Sequence, residues 1–124
     1  MSEPSYDPAG EVVDLCRDLI RIDTTNTGDG DGPGERKAAE HVAALLDEVG
    51  IAAEIYEGVA GRSNVVARWG GTTGDGLLLH GHLDVVPADA DDWAVPPFSG
   101  ELSDGYLWGR GAVDMKDFDA ILLS

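Results

Sequence analysis

Three consecutive leucines, Leu77-Leu78-Leu79, constrain the fold of this chain more than any other feature. Successive residues of a β-strand point to opposite faces, so an unbroken apolar run asks for cover on both sides. The pattern predicts a strand over 77–83 at the centre of a sheet, with helices packed on it. Residues on either side supply candidate layers. From about Ala9 to Ile22 the apolar residues Val12, Leu15, Cys16, Leu19 and Ile22 recur at helical spacing, with Asp14, Arg17, Asp18 and Arg21 largely opposite. A second amphipathic helix is predicted from Glu35 to Val49, on a face of Ala38, Val42, Leu45, Leu46 and Val49, with Gly50 placed to end it. Residues 1–8 read as a polar, frayed lead-in, and 23–34, rich in Thr, Gly and Asp, as a loop.

Shorter β-like runs at 51–57 and 64–69 precede the leucine run, with turn chemistry at 58–62 and 70–76. Beyond it, 84–104 is irregular and rich in Asp and Pro, with Trp93 and Phe98 as expected anchors. A further short strand is predicted at 106–108, and a helix begins near Met115. The order helix, helix, strand, strand, strand predicts an α/β layer architecture with a mixed sheet. Ser124 ends the chain a turn or two into an apolar helix, which leads us to expect a longer protein.

Charge narrows the partners. With 24 acidic residues against 8 basic ones, the net charge is -16. Such a surface repels phosphate backbones, so nucleic acid and anionic membranes are not expected as partners. Most of the acidity reads as solvation, and a small part as ligands for hard cations. Cys16 is the single cysteine, so no internal disulfide can form, which fits a reducing compartment. Met1–Gly10 has neither a basic residue nor an apolar run, and no stretch approaches the about 18 apolar residues of a membrane span. A cytoplasmic protein is expected.

Chemistry concentrates in two segments. In His80-Gly81-His82-Leu83-Asp84-Val85-Val86-Pro87, residues two apart in a strand share a face. His82 and Asp84 should therefore project together from the strand's C-terminal end, where open α/β sheets place their ligand sites. His82 can offer a ring nitrogen to zinc, and Asp84 can orient the ring or raise its basicity. His80, one step deeper, is expected to be buried and hydrogen-bonded. The second segment is Trp108-Gly109-Arg110-Gly111-Ala112-Val113-Asp114-Met115-Lys116. Asp114 stands at the expected loop-to-helix junction, where a carboxylate could bridge two cations or simply cap the helix. Alone, each segment favours the structural role.

Together they carry a resemblance. The order G-H-x-D-x-V-P, then a tryptophan, then P-F, then D-G-x-x-x-G-R-G-A-x-D-M-K resembles the M20 family of zinc-dependent peptidases and deacylases, which includes dipeptidases, aminoacylases and acetylornithine deacetylase-like enzymes. Here it runs from Gly81 through Pro87, Trp93, Pro97-Phe98 and Asp104-Gly105 to Lys116. Ile22-Asp23-Thr24-Thr25, Glu35 and 61–67 are similar in style. The resemblance implies a three-layer α/β/α sandwich with a mixed central sheet, incomplete in this chain, residues 1–124 being the N-terminal portion of the catalytic domain. It implies two Zn2+ ions per complete site (Co2+ or Mn2+ as substitutes), with His82 binding one metal, Asp114 bridging both, Asp84 holding His82, and a cis peptide bond after Asp114. The implied activity is hydrolysis of a peptide or N-acyl amide bond in a small substrate, by a full-length form that can be a homodimer.

One departure is Asp117-Phe118-Asp119, where the family often has glycines. By the same resemblance, the general-base glutamate, the remaining ligands and a lid or dimerisation domain lie outside this chain. The 124-residue chain is accordingly expected to be inactive by itself. Two other readings stand beside this one. A non-catalytic binding module would show an exposed apolar face on the last helix. A nucleotide-binding domain would need a phosphate loop, which neither the glycines at 28, 30, 32 and 34 nor Gly109-Arg110-Gly111 supply. Asp29-Gly30-Asp31-Gly32 lacks the remaining positions of a calcium loop.

Overall fold

A computed structural model describes residues 7–124; the lead-in expected at 1–8 lies mostly outside the described residues. Helix α1 spans Pro8–Arg21. A proline in its first turn loses nothing, because the first amide donors of a helix have no intrahelical acceptor. Glu11 in the first turn and Arg21 in the last complement the helix dipole. Cys16 and Leu19, as the periodicity predicted, form its buried face together with Ile20, which the predicted face did not include; Val12, Leu15 and Ile22 are partly buried. Helix α2 (Arg36–Glu48) buries Ala38, Ala39 and Val42. Val49, counted on that face from the sequence, is instead 71% exposed: the helix ends at Glu48, and Val49 falls in the closing turn before Gly50 at φ 78°.

Strands β1 (Ala53–Val59) and β2 (Arg62–Ala67) form an antiparallel hairpin that packs on α2. Its turn also starts the helix, since the Gly61 carbonyl accepts from the amides of Glu35 (2.8 Å) and Arg36 (3.2 Å). Gly34 permits this approach. It sits at φ 73°, and a Cβ there would fall 2.2 Å from the Gly61 oxygen. The buried Glu35 carboxylate takes a hydrogen bond from Arg62 Nε at 2.8 Å. A second hairpin joins β3 (Glu101–Ser103) to β4 (Tyr106–Trp108) through Asp104 and Gly105, both at positive φ as a two-residue hairpin turn requires. Helix α3 (Lys116–Leu123) lies against α1, and Cys16, Ile20 and Ala120 centre the core, with Val12, Leu15, Leu107 and Ala112 around them.

The predicted strand over 77–83 does not form. Leu77, Leu78 and Leu79 are 85%, 82% and 59% exposed, and 77–81 makes no backbone hydrogen bond to another strand among the described residues. A strand exists through its neighbours' amides and carbonyls, and here no neighbour is within reach. Among the described residues, parallel pairing is confined to one bridge, Thr25 to Val85. Helices with small antiparallel sheets make up an incomplete α/β unit. Among the described residues, no helix is long and apolar enough to cross a membrane.

Candidate metal centre

The connector leaving α1 builds the site. Thr24, fully buried, donates Oγ1 to the Leu83 carbonyl at 2.6 Å, and its own carbonyl accepts from the Val85 amide at 3.1 Å. The Asn26 amide donates to the Val85 carbonyl at 2.8 Å. Residues 83–85 are thus held against 24–26 by backbone-directed bonds, although 77–81 is free of them. On the other side, buried Lys116 donates Nζ to the carbonyls of Leu19 and Ile22, each at 2.8 Å. Both acceptors lie at the C-terminal end of α1, where the Leu19 carbonyl also accepts from the amide of the capping residue Ile22 at 3.2 Å. The Lys116 amide donates to Gly111 (2.9 Å), closing the 111–116 loop. Gly111, at φ 84°, lies so near Val85 that a Cβ would meet Cγ1 at 2.6 Å. One connector therefore anchors both chemical segments.

Across this frame, His82 Nε2 and Asp114 Oδ1 are 2.9 Å apart, although 32 positions separate them in the chain. His82 Nδ1 lies 3.1 Å from the Asp84 carbonyl and 3.2 Å from its carboxylate Oδ1. The Asp84 carbonyl and the Asp114 carboxylate both only accept, so in this metal-free geometry each ring nitrogen donates; Nδ1 is held by Asp84, and Nε2 is the nitrogen that faces Asp114. Partial burial disfavours the charged ring. The bond to the Asp84 carbonyl and the carboxylates of Asp114 and Asp84 outweigh it and hold the imidazole pKa above its ordinary value. The Asp114–Met115 peptide bond is cis, as the resemblance implied. Asp114 does not cap α3, whose N-cap residue is Met115, and its side chain is 85% exposed.

This donor set suits a borderline divalent cation in part. One imidazole nitrogen and one carboxylate oxygen converge, with the ring's other nitrogen held by an acceptor, the usual arrangement behind a metal-ligating histidine. Among the described residues, no group of three or more His, Cys, Asp or Glu side chains could hold a metal.

His80 departs from expectation. It is exposed, because without sheet neighbours the segment around it has nothing to bury it. Trp93 does anchor the 84–104 stretch, with the Arg110 guanidinium 5.2 Å from its ring centre. Sequence reasoning assigned no role to Asn26, Lys116 or Asp119. Asn26 Nδ2 donates to Asp84 Oδ2 at 2.8 Å. Asp119 is buried beside Gly81, with Oδ2 unpartnered. Lys116 stood inside the motif, and it shares the buried face of α3 with Asp119 and Ala120. For Asn26 and Asp119 no local signal existed, since their partners lie far along the chain.

Residues 78–124 match the family model described as Peptidase family M20/M25/M40. A succinyl-diaminopimelate desuccinylase 2 of Ruegeria sp. is 38% identical over 118 residues, covering 94% of this chain and 28% of the relative. A succinyl-diaminopimelate desuccinylase of Bradyrhizobium sp. is 39% identical over 111 residues (86% of this chain, 27% of the relative). One from Methylorubrum populi is 43% identical over 97 residues (74% and 25%). The chain is thus similar to the M20 peptidase family, and it spans little more than a quarter of the length of these relatives.

Proposed function

We propose that this chain is the N-terminal part of the catalytic domain of a metal-dependent hydrolase that cleaves an amide bond in a small N-acyl substrate. The observation that carries this reading is the approach of His82 Nε2 to Asp114 Oδ1. When bound, a pair of divalent cations, zinc in the first instance, supplies Lewis-acid polarisation of the scissile carbonyl. His82 and Asp114 are the residues that would hold it. Asp84 fixes the imidazole so that Nε2 faces the site, and by its charge strengthens the ring as a donor. The 24–26 connector and Lys116 hold these groups in place, so little ordering is left to substrate binding. The general base and remaining ligands come from outside the 124 residues, which alone are inactive.

The names of the relatives support an N-succinyl amine as first substrate to assay, ahead of N-acetyl-amino acids and dipeptides. Cys16 as the sole cysteine and the -16 charge support a cytoplasmic setting without nucleic acid or membrane partners. In the protein encoded by the native gene, His82→Ala and Asp114→Ala should each lower metal-dependent succinate release at least ~100-fold, at the upper end of what perturbing the support of a metal ligand costs. Near-native turnover by either variant overturns the assignment. A second reading, a non-catalytic binding module, draws support from the exposed Phe118 and Ile121 on α3. An intact mass of 13.0 kDa for the native product, with no hydrolysis, favours it.

A further inference from the structure

We propose that Asn26 is a positioning residue for His82, acting through Asp84. The inference rests on the reading of His82 as a metal ligand, and it assigns the side chain that sets the ring's angle. Asp84 touches His82 twice, through its carbonyl (3.1 Å) and Oδ1 (3.2 Å), both at Nδ1. A carboxylate on a flexible stem can do this only if its plane is held. The holder is Asn26, whose Nδ2 donates to Asp84 Oδ2 at 2.8 Å across 58 positions of sequence.

The orientation of the Asn26 amide is determined on both sides. Its Oδ1 accepts from the Gly28 amide at 3.0 Å, which requires the oxygen there, and a carboxylate acceptor requires the nitrogen at the other end. Its backbone is pinned as well, by the bond from its amide to Val85. Asn26, Asp84 and His82 thus form a chain of directed contacts ending at Nε2. A neutral amide suits this place better than a lysine or arginine. It fixes the carboxylate without neutralising the charge by which Asp84 acts on the ring.

The test uses the protein encoded by the native gene, with Co2+ as probe. Affinity is read by titration, ligand geometry by the visible absorption of the bound ion, and folding by thermal melting. Asn26→Ser keeps a hydroxyl that can accept from Gly28 but cannot reach Asp84; Asn26→Ala loses both contacts. A positioning role predicts that both variants bind Co2+ roughly 10-fold more weakly, with an altered spectrum and a nearly unchanged melting temperature for Asn26→Ser. If Asn26 merely shapes the 26–28 turn, Asn26→Ser binds Co2+ within about 2-fold of native with an unaltered spectrum, and the proposal falls. His82→Ala separates the two levels. Should it bind Co2+ as the native protein does, or should the native protein bind none, the metal-ligand reading falls and this inference with it. Loss of binding in His82→Ala together with native binding in Asn26→Ser overturns only the role of Asn26.

Discussion

Asp119 shows how a single carboxylate can make stability depend on pH. It is buried on α3 against Gly81, where a Cβ would stand 2.0 Å from Oδ1, and Oδ2 has no partner. Burial pushes its pKa up from 3.8 to about 6, against the opposing pull of His82 and Lys116. The native state therefore holds this proton more tightly than the unfolded chain does. Its contribution is fully present below about pH 4 and is lost as pH rises through about 6. In urea melts between pH 4 and 7, the native midpoint should fall with rising pH, and Asp119→Asn should fall less. Parallel curves would show that Asp119 is solvated. The His82 pKa is also raised, so its contribution is lost in the same direction, but above its ordinary 6.5.

Between elements, a few directed bonds do what extensive packing does in larger cores. The α1 connector reaches 83–85 through Thr24 and Asn26, and α3 reaches α1 through Lys116. Burial pushes the Lys116 pKa down to about 8, opposed by the charges of Asp23 and Asp119, so the ammonium stays mostly protonated at neutral pH. Thr24→Val tests the connector with almost no change of volume. It strands the Leu83 carbonyl and should cost about 1–3 kcal/mol, measured by urea denaturation. An unchanged midpoint would mean that water replaces the hydroxyl at no cost and that Thr24 does not fasten the segment.

For the molecule as a whole, order is uneven. α1, α3 and the 24–26/83–85 contacts form one fastened body, whereas 77–81 carries three exposed leucines and no ladder bonds. Amides without protein acceptors exchange readily with solvent, and buried helical ones exchange only on larger opening. Hydrogen exchange followed by mass spectrometry should therefore label 77–81 far faster than Cys16–Ile20 in the 124-residue chain. Equal protection of the two would mean that the leucine run is paired, as its composition asks. The same contrast separates the α/β character, visible in the element order, from the mixed central sheet, which needs strands that these residues do not supply.

Local pattern determined α1, most of α2, the β1–β2 hairpin, strand β4 and the packing of Cys16, and together with the family resemblance it singled out His82, Asp84 and Asp114; strand β3, inside a stretch read as irregular, was not legible. Helical periodicity, turn glycines and residue spacing are properties of neighbours in the chain, and they need no knowledge of distant contacts. Tertiary structure decided the rest: that Leu77–Leu79 and His80 lie exposed, that Val49 misses the core, and that Asn26, Lys116 and Asp119 matter. A strand requires a partner, and a buried polar group requires an acceptor or donor. Here those partners lie far away in sequence, 58 positions for Asn26 and Asp84 and 97 for Lys116 and Leu19, so only the folded chain brings them together.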